Sequence, residues 1–321
     1  YYDYCRGIYG KFKSWQRMKI KICGGVCMYE LIQLTEHDYY IDCPAKIGLV
    51  RIDEDNVVLI DSGNDKDAGK KVFRILEANG WNLKAIFNTH SHADHIGGNR
   101  FLQDKTGCSI YAKGMECTYT NHPILEPTTL YGGLPFKALK HKFLMAKDSK
   151  ADFLTEYCLP EGMELLELPG HSFDMVGFKT CDGTAYIADC VSSRETLTKY
   201  GIGYLWNVED SLATLAFIKT IKAKQFVPAH APVTNDIREL ASLNENAIIS
   251  VKKKILSLCI NPISFEELLK NIFDEYSMEM NIQQYALIGS TLRSYLSGMY
   301  EQGVLKTECI DNRLLWTWAE N

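Results

Sequence analysis

The chain has 321 residues, of which 46% are hydrophobic and 23% are charged, with 23 glycines and 9 prolines. This composition excludes collagen-like, low-complexity and disordered proteins and predicts a globular protein with a sizeable core. The formal net charge of −5 disfavours a protein whose main task is to grip a phosphate backbone.

No run of residues approaches the ~20 uninterrupted apolar residues that a membrane-spanning helix needs, and residues 1–17 lack the apolar region of a secretory signal. The 11 cysteines are odd in number, scattered and without a CxxC pair. We therefore expect free thiols, a cytoplasmic protein and no association with a membrane.

The first half of the chain predicts hairpins that give way to β-α-β units. Residues 1–17 are interpreted as an N-terminal extension, with Met18 as a plausible natural start. A helix at 66–79 should end at Gly80, and a helix at 209–221 should be capped by Asp210 or Ser211. Strands are predicted at 26–34, 40–52, 57–60, 84–88, 109–112, 164–168, 175–179, 184–187 and 226–228, and a further helix at 98–105.

Two regions stand apart from this pattern. Residues 113–160 contain several Pro and Gly turns, are too long for a simple connection and are interpreted as a lid insertion. After residue 240, helices are predicted at 247–258, 264–273 and 284–302, followed by strands at 304–309 and 313–318; Ser264 and Glu267 have the spacing of a capping box. This outline predicts a winged-helix-like domain at 241–321 behind a catalytic domain at 18–240.

The candidate functional residues begin with a cluster that follows a predicted strand. His90, His92, Asp94 and His95 lie within six positions and precede a Gly-Gly pair. A sharp loop there could direct several of these side chains to one point, as a metal site requires.

Three further candidates end other apolar runs, where α/β sheets place their sites. They are His171, Asp189 and His230. Five imidazoles and two carboxylates exceed the three or four ligands of one zinc ion, so a site for two divalent metal ions is the natural count.

These seven residues resemble the ligand motif of the metallo-β-lactamase superfamily, in its hydroxyacylglutathione hydrolase (glyoxalase II)-like branch. The resemblance implies an α/β fold, an αβ/βα four-layer sandwich with the metals at one edge. It implies that His90, His92 and His171 hold the first ion, and that Asp94, His95 and His230 hold the second. Asp189 and a hydroxide would bridge the two ions, and the hydroxide would be the nucleophile.

Other residues are assigned with less direct support. In the family, the strand before Asp61 runs beside the metal loop, which implies that Asp61 accepts a hydrogen bond from a ligand imidazole. Thr89 and Ser172 could act similarly or could simply form turns. Cys190 should point away from Asp189, which argues against β-lactam cleavage. His122, Tyr131 and His141, in the presumed lid, are candidate substrate contacts.

Three functions remain open. The favoured one is hydrolysis of a thioester, ester or related bond in a small molecule. The second is a metal-dependent endoribonuclease or phosphodiesterase, since one ribonuclease branch of the superfamily also carries a winged helix. Residues 241–321, however, hold seven Lys and Arg against ten Asp and Glu, which favours a packing or dimerisation module over a nucleic-acid reader. The third is a mononuclear iron enzyme similar to persulfide dioxygenases. Zinc is the preferred metal, with iron and manganese as alternatives.

Overall fold

The computed structural model describes residues 29–319. The expected extension at 1–17, the start at Met18 and the first residues of the strand predicted at 26–34 lie outside this range. A seven-stranded mixed sheet comes first, antiparallel through its first four strands and parallel after them. Its strands, in spatial and chain order, are β1 (Glu30–Gln33), β2 (Asp38–Asp42), β3 (Ile47–Arg51), β4 (Asn56–Ile60), β5 (Asn82–Phe87), β6 (Ser109–Ala112) and β7 (Asp152–Phe153).

The single strand predicted at 40–52 is wrong, because β2 and β3 form a hairpin there. Pro44 lies in the connecting turn and has no N–H to donate to a strand ladder, so the strand cannot continue through it. The turn brings the Pro44 carbonyl to the edge of the sheet where the candidate ligands gather.

A second sheet of four strands has the spatial order β11-β10-β9-β8. Its strands are β8 (Glu164–Glu167), β9 (Val176–Lys179), β10 (Thr184–Tyr186) and β11 (Gln225–Val227). The associated helices are α1 (Lys66–Asn79), α2 (Ala93–Ile96), α3 (Asn99–Thr106), α6 (Arg194–Tyr200) and α7 (Val208–Ile218). The predicted cap of α7 is wrong: Asn207 accepts the hydrogen bonds of the Glu209 and Asp210 amides.

The two sheets pack face to face, with helices on their outer faces. Along β4, Val58 and Ile60 join residues of the second sheet in one core, whereas Val57 and Leu59 pack beneath α1 and α3. This alternation follows from the two-residue period of a strand, and both faces are apolar because both are covered. The arrangement is the expected αβ/βα four-layer sandwich.

The stretch at 113–160, expected to be irregular, contains helices α4 (Gly114–Asn121) and α5 (Leu125–Tyr131), two short 3₁₀ turns and β7. Pro127 lies in the first turn of α5, where an amide hydrogen has no partner within the helix. Gly132 ends α5 in the left-handed conformation with φ of 76°. The residues that look like helix breakers therefore mark where this helix starts and stops.

The C-terminal region has three helices and a three-stranded antiparallel sheet. Its helices are α8 (Arg238–Leu258), α9 (Phe265–Glu275) and α10 (Ile282–Glu301), and its strands are β12 (Ile263–Ser264), β13 (Leu305–Ile310) and β14 (Arg313–Trp318). The capping box of Ser264 and Glu267 is confirmed. The helix predicted at 247–258 begins earlier in the structure, at Arg238. Its start was not predicted because the N-cap residue, Ile237, has no side-chain group that could cap the helix. The boundary predicted between residues 240 and 241 therefore falls inside α8.

The C-terminal helices share a core with the second sheet. One buried cluster contains Ile187 and Leu215 together with Ile255 and Leu292. A smaller cluster joins the insertion to α10, where Leu130, Leu139 and Leu144 pack around Ala286. Both the two-sheet fold and its insertion therefore pack against the C-terminal helices. No helix within residues 29–319 is long and apolar enough to span a bilayer.

Candidate metal centre

The histidine-rich loop runs from the end of β5 through α2 and carries His90, His92, Asp94 and His95. Gly97 and Gly98 follow it. A Cβ on Gly98 would lie 2.3 Å from the Ser62 carbonyl oxygen, and one on Gly97 would lie 2.3 Å from the carbonyl carbon of Asn64. The Gly-Gly pair thus lets the loop pack directly against the segment that follows β4.

The remaining three candidates come from the other sheet. His171, Asp189 and His230 follow β8, β10 and β11. Ala188 precedes Asp189 with φ of 48°, and Asp61, after β4, has φ of 67°. Left-handed backbone costs energy in residues other than glycine, and such strain is concentrated at functional sites. Both strained residues here adjoin the candidate cluster.

Three histidines form one group, the first triad: His90, His92 and His171. Their ligand atoms lie within 4.8 Å of one another. His92 Nδ1 is 3.0 Å from both His90 Nε2 and His171 Nε2. Three imidazole nitrogens that converge in this way offer three ligands to one ion.

A second triad consists of Asp94, His95 and His230, again within 4.8 Å. His230 Nε2 is 3.2 Å from Asp94 Oδ2, and His95 Nε2 is 3.8 Å from the same oxygen. Asp189 lies between the triads, with its Oδ2 3.4 Å from His171 Nε2 and 3.3 Å from His230 Nε2. All seven predicted ligands are therefore gathered at one edge of the sandwich.

Asp61 orients ligands of both triads. It accepts hydrogen bonds from the Thr89 amide (2.8 Å), the Thr89 hydroxyl (2.7 Å) and His95 Nδ1 (2.8 Å). The Thr89 hydroxyl in turn lies 3.0 Å from His90 Nδ1. Because their Nδ1 atoms are engaged, His90 and His95 present Nε2 to the cluster. Thr89 is thus part of the ligand support and not only a turn residue.

Backbone carbonyls orient two more ligands. His171 Nδ1 lies 3.1 Å from the Tyr204 carbonyl oxygen, and His230 Nδ1 lies 3.0 Å from that of Pro44. The segment that contains Tyr204 is itself tied to the C-terminal region, since the Leu205 amide donates to Thr291 of α10 at 3.2 Å. A carbonyl has no side-chain pattern, so sequence reasoning could not have found these supports.

Sequence reasoning also missed Glu116, a fully buried carboxylate in the first turn of α4. One of its oxygens accepts from the amide and hydroxyl of Ser91 at 2.8 and 2.6 Å. The other accepts from the Ser172 hydroxyl and the Asp174 amide at 2.8 and 3.0 Å. Glu116 therefore joins the loop of His90 and His92 to the loop of His171, and Ser172 is part of this link.

A glycine makes that link geometrically possible. The Asp174 carboxylate accepts from the Met115 amide at 2.7 Å, reciprocating the bond from the Asp174 amide to Glu116. A Cβ on Gly114, which has φ of 44°, would lie 2.2 Å from Asp174 Oδ2. Glycine is thus required for the carboxylate to reach the start of α4.

The two triads differ in charge. Burial lowers the pKa of His92 and of His171 to about 4, and holds the pKa of His90 well below its usual value. In the second triad, the negative charge of Asp189 raises the pKa of His230 to about 10 against the effect of burial. The first triad is therefore a set of neutral imidazoles, and the second is closely coupled to carboxylates.

The arrangement suits metal binding in one further respect. His95 Nε2 and Asp189 Oδ1 are buried and make no hydrogen bond, although only 3.1 Å separates them. Buried polar atoms without a partner are rare, and each one calls for an explanation. Imidazole and carboxylate groups are ligands that divalent cations accept, so an ion would satisfy both atoms.

Comparison with known proteins agrees with this geometry. The family model described as the metallo-beta-lactamase superfamily matches residues 40–230, which is more than half of the chain and includes all seven ligand candidates. The chain belongs to the metallo-β-lactamase superfamily. Its fold implies divalent metal ions, and its members are generally metal-dependent hydrolases. The predicted sandwich and the predicted class of enzyme are confirmed at the level of this family.

Curated relatives match over shorter segments. The probable metallo-hydrolase YqgX of Bacillus subtilis is 27% identical over 47% of this chain and 66% of its own length. A hydroxyacylglutathione hydrolase of Methylococcus capsulatus is 49% identical over 12% of this chain and 15% of its own length. The chain thus spans less than two thirds of these relatives, and the glyoxalase II-like branch stays a prediction.

The superfamily fold is also seen in solved structures. A β-lactamase domain protein from Burkholderia ambifaria has a TM-score of 0.72 and 15% identity, covering 92% of this chain and 96% of its own. At this identity the likeness shows the fold alone. It nevertheless extends over most of the chain.

The predicted substrate contacts lie apart from the ligand cluster of this metallo-β-lactamase fold. His122 and Tyr131 are exposed, and His141 packs edge-on against Phe143. Within residues 29–319, no hydrogen bond, ion pair or ring contact joins these three residues to either triad or to Asp189. Their role in substrate binding stays a prediction.

A different residue of the insertion, Glu126, lies next to the candidate ligands. Glu126 of α5 places its Oε1 3.6 Å from His92 Nε2, the nitrogen that faces away from the first triad. Burial, with Glu116 and Asp94 nearby, raises the pKa of Glu126 to about 8. No sequence pattern pointed to Glu126, because α5 itself was not predicted.

Proposed function

We propose that this chain is a dinuclear metal-dependent hydrolase that cleaves a thioester, ester or related bond of a small molecule. The observation that carries the proposal is the pair of adjacent triads with Asp189 between them. Seven converging ligands exceed what one zinc ion takes, which favours two ions over the mononuclear iron alternative. The short matches to proteins named hydroxyacylglutathione hydrolase agree with this choice of bond.

In this proposal the first triad would hold one ion and the second triad would hold another, with Asp189 as a ligand available to both. Zinc is our preferred metal. The imidazole and carboxylate ligands would also suit iron or manganese. When bound, the ions would supply Lewis acidity and a hydroxide near neutral pH. Asp61 holds His95 with Nε2 directed at the cluster. Glu116 joins the two loops that carry the residues of the first triad, through hydrogen bonds from Ser91 and Ser172.

The C-terminal region, in our proposal a winged-helix-like domain, supports the catalytic unit instead of reading nucleic acid. The face of α10 at Ala286 is covered by the insertion, so it is closed to a groove of DNA or RNA. Arg293 of α10 lies over the Phe265 ring at 3.9 Å, and Lys252 and Lys254 pair with Glu209 and Glu275. Few cations therefore remain for phosphates.

Further parts of the proposal rest on the sequence. We retain a catalytic domain at 18–240 with a lid at 113–160 and a C-terminal domain at 241–321, with α8 crossing the boundary between them, and we retain dimerisation as one role open to the C-terminal domain. The cytoplasmic location follows from the scattered cysteines, eight of which are free within residues 29–319.

The test combines metal analysis with a substrate panel. The purified protein, loaded with Zn²⁺ and dialysed, is compared with Asp94→Ala on acyl-thioesters, phosphodiesters and single-stranded RNA. We expect about two ions per chain and thioester turnover that Asp94→Ala abolishes. The protein as purified, before zinc loading, is also analysed for metals and assayed with glutathione persulfide and O₂; one iron per chain with oxidation of the persulfide sulfur would favour the dioxygenase alternative. RNA cleavage lost in Asp94→Ala, without thioester turnover, would replace the proposal by the ribonuclease.

A further inference from the structure

A cavity of about 100 Å³ lies beside the metal-ligand cluster, at the junction with the C-terminal helices. His171 and Asp189 form part of its wall, and so does the segment 201–205, whose Tyr204 carbonyl orients His171. Other parts of the wall come from α6, α7, α8 and, through Tyr295, from α10. The cavity therefore adjoins the candidate centre and depends on the C-terminal region for its shape.

Most of the wall is apolar, with side chains such as Leu197, Ile202, Leu215, Ile248 and Val251. A hydrocarbon group placed among them would leave water and gain the free energy of apolar burial.

Three polar side chains of the wall that lie outside the ligand cluster, Ser211, Thr214 and Asn244, already make hydrogen bonds within the protein. Ser211 donates to the Asn207 carbonyl at 2.8 Å, and Thr214 donates to the Pro169 carbonyl at 2.7 Å. Asn244 both accepts from the Ser192 amide and donates to the Ser192 carbonyl, each at 2.9 Å. These groups have little left to offer a polar ligand, which favours an apolar occupant.

We propose that this cavity receives the acyl chain of the substrate, so that the enzyme acts on short-chain acyl thioesters or esters. The inference rests on the proposed hydrolase function and names its substrate class. In the reaction a water oxygen bonds to the acyl carbon, and the bond from that carbon to sulfur breaks. The sulfur leaves with the electron pair and is protonated, and the acyl group leaves as the carboxylate with release of one proton.

The volume of the cavity limits the length of the acyl chain that it can receive. A cavity of about 150 Å³ is known to hold a six-carbon ring, so one of this size suits an acyl group of about four carbons. Each methylene that is accepted or refused by an apolar pocket changes kcat/KM by about 10- to 200-fold. We expect kcat/KM to rise from the acetyl to the butyryl thioester and to fall at the octanoyl thioester.

Substitutions on α8 test the cavity in the zinc-loaded full chain. Ala247→Leu fills part of it, and we expect the ratio of butyryl to acetyl kcat/KM to fall by at least about tenfold. Asn246→Leu places the same side chain on the exposed side of α8, outside the cavity wall, and should leave the ratio unchanged. Val251→Ala enlarges the cavity and should move the preference toward hexanoyl. Thermal melting shows that each variant is folded.

A binding measurement separates this inference from the proposed function. The probes are S-methyl and S-butyl thioethers of N-acetylcysteamine, which cannot be hydrolysed, and Kd is measured by calorimetry. If the S-butyl compound binds more tightly than the S-methyl compound, and Ala247→Leu removes this difference, the assignment of the cavity is supported. If the same binding is seen but no thioester is hydrolysed, only the hydrolase proposal fails. Thioester turnover with equal ratios in wild type, Ala247→Leu and Val251→Ala, and equal Kd for both thioethers, would overturn the inference alone.

Discussion

The two triads of candidate ligands are supported by different parts of the molecule. In the second triad, His95 donates to Asp61 after β4, and His230 donates to Pro44 between β2 and β3, so both supports belong to the first sheet. The first triad is reached by Asp61 only through Thr89, and it depends in addition on two added segments: Glu116 in the insertion, and Tyr204 in a segment bonded to α10. The first sheet thus supports one candidate metal site, and the insertion and C-terminal region complete the other candidate site.

This difference means that each site can be weakened separately. The largest effects should follow removal of one ligand from each triad. We expect His171→Ala and Asp94→Ala each to retain about one Zn²⁺ per chain instead of about two. Each should lower kcat/KM by more than about 100-fold, because a lost ligand costs more than a lost hydrogen-bond partner of a ligand.

The measurement is metal content by mass spectrometry after dialysis, together with steady-state kinetics. His37→Ala serves as the control, because His37 pairs with Asp182 and lies outside both triads. If either ligand variant kept two ions, the assignment of that residue to its triad would be wrong.

A smaller effect, confined to the first triad, is expected from Glu116→Gln. The amide keeps the size of the side chain but replaces an acceptor oxygen with a donor, so two of the four hydrogen bonds cannot form. We expect the Zn²⁺ affinity of the first site to fall by about 10- to 100-fold. Chelator competition in the Asp94→Ala background measures that site, and the same substitution in the His171→Ala background should change little. Equal losses in both backgrounds would contradict the division of supports.

Asp61→Asn should act mainly on the second triad. Asparagine keeps one acceptor oxygen, so we expect a loss near the lower end of the range, about tenfold, in Zn²⁺ affinity in the His171→Ala background. A weaker effect on the first site is expected, because the Thr89 hydroxyl links Asp61 to His90. A larger loss at the first site than at the second would reverse this ranking.

The sequence predicted which side chains gather at one point better than it predicted the groups that support them. His90 to His95 are dense in the chain, and His171, Asp189 and His230 each end an apolar run, so local patterns were sufficient for them. The supports are non-local. Glu116 is 25 residues from Ser91 and 56 residues from Ser172, and nothing near it in sequence marks it as a link.

The fold shows the same limit. Strands β4 and β6 and helix α1 could be predicted, because each is marked by a periodic apolar pattern within its own residues. Helix α5 could not, because Pro127 and Gly132 read as breaks although one lies in the first turn and the other is the cap. The role of α10 against the insertion arises from tertiary packing that no local pattern contains.

The smallest effect is expected at the far end of the support for the first triad. Thr291→Val keeps the shape of the side chain but leaves the Leu205 amide without its acceptor, at a cost of about 1–3 kcal/mol in the free energy of unfolding. The Tyr204 carbonyl should then hold His171 less firmly, and we expect the first-site Zn²⁺ affinity to fall by less than about tenfold.

A matched control distinguishes this local effect from general loss of stability. Ser264→Ala removes the cap of α9 at a cost of about 1 kcal/mol, and Ser264 makes no hydrogen bond to the segment 201–206. Both variants should therefore melt at lower temperature, while only Thr291→Val should weaken zinc binding in the Asp94→Ala background. Equal zinc affinities in the two variants would show that the C-terminal region stabilises the fold without positioning the metal ligands.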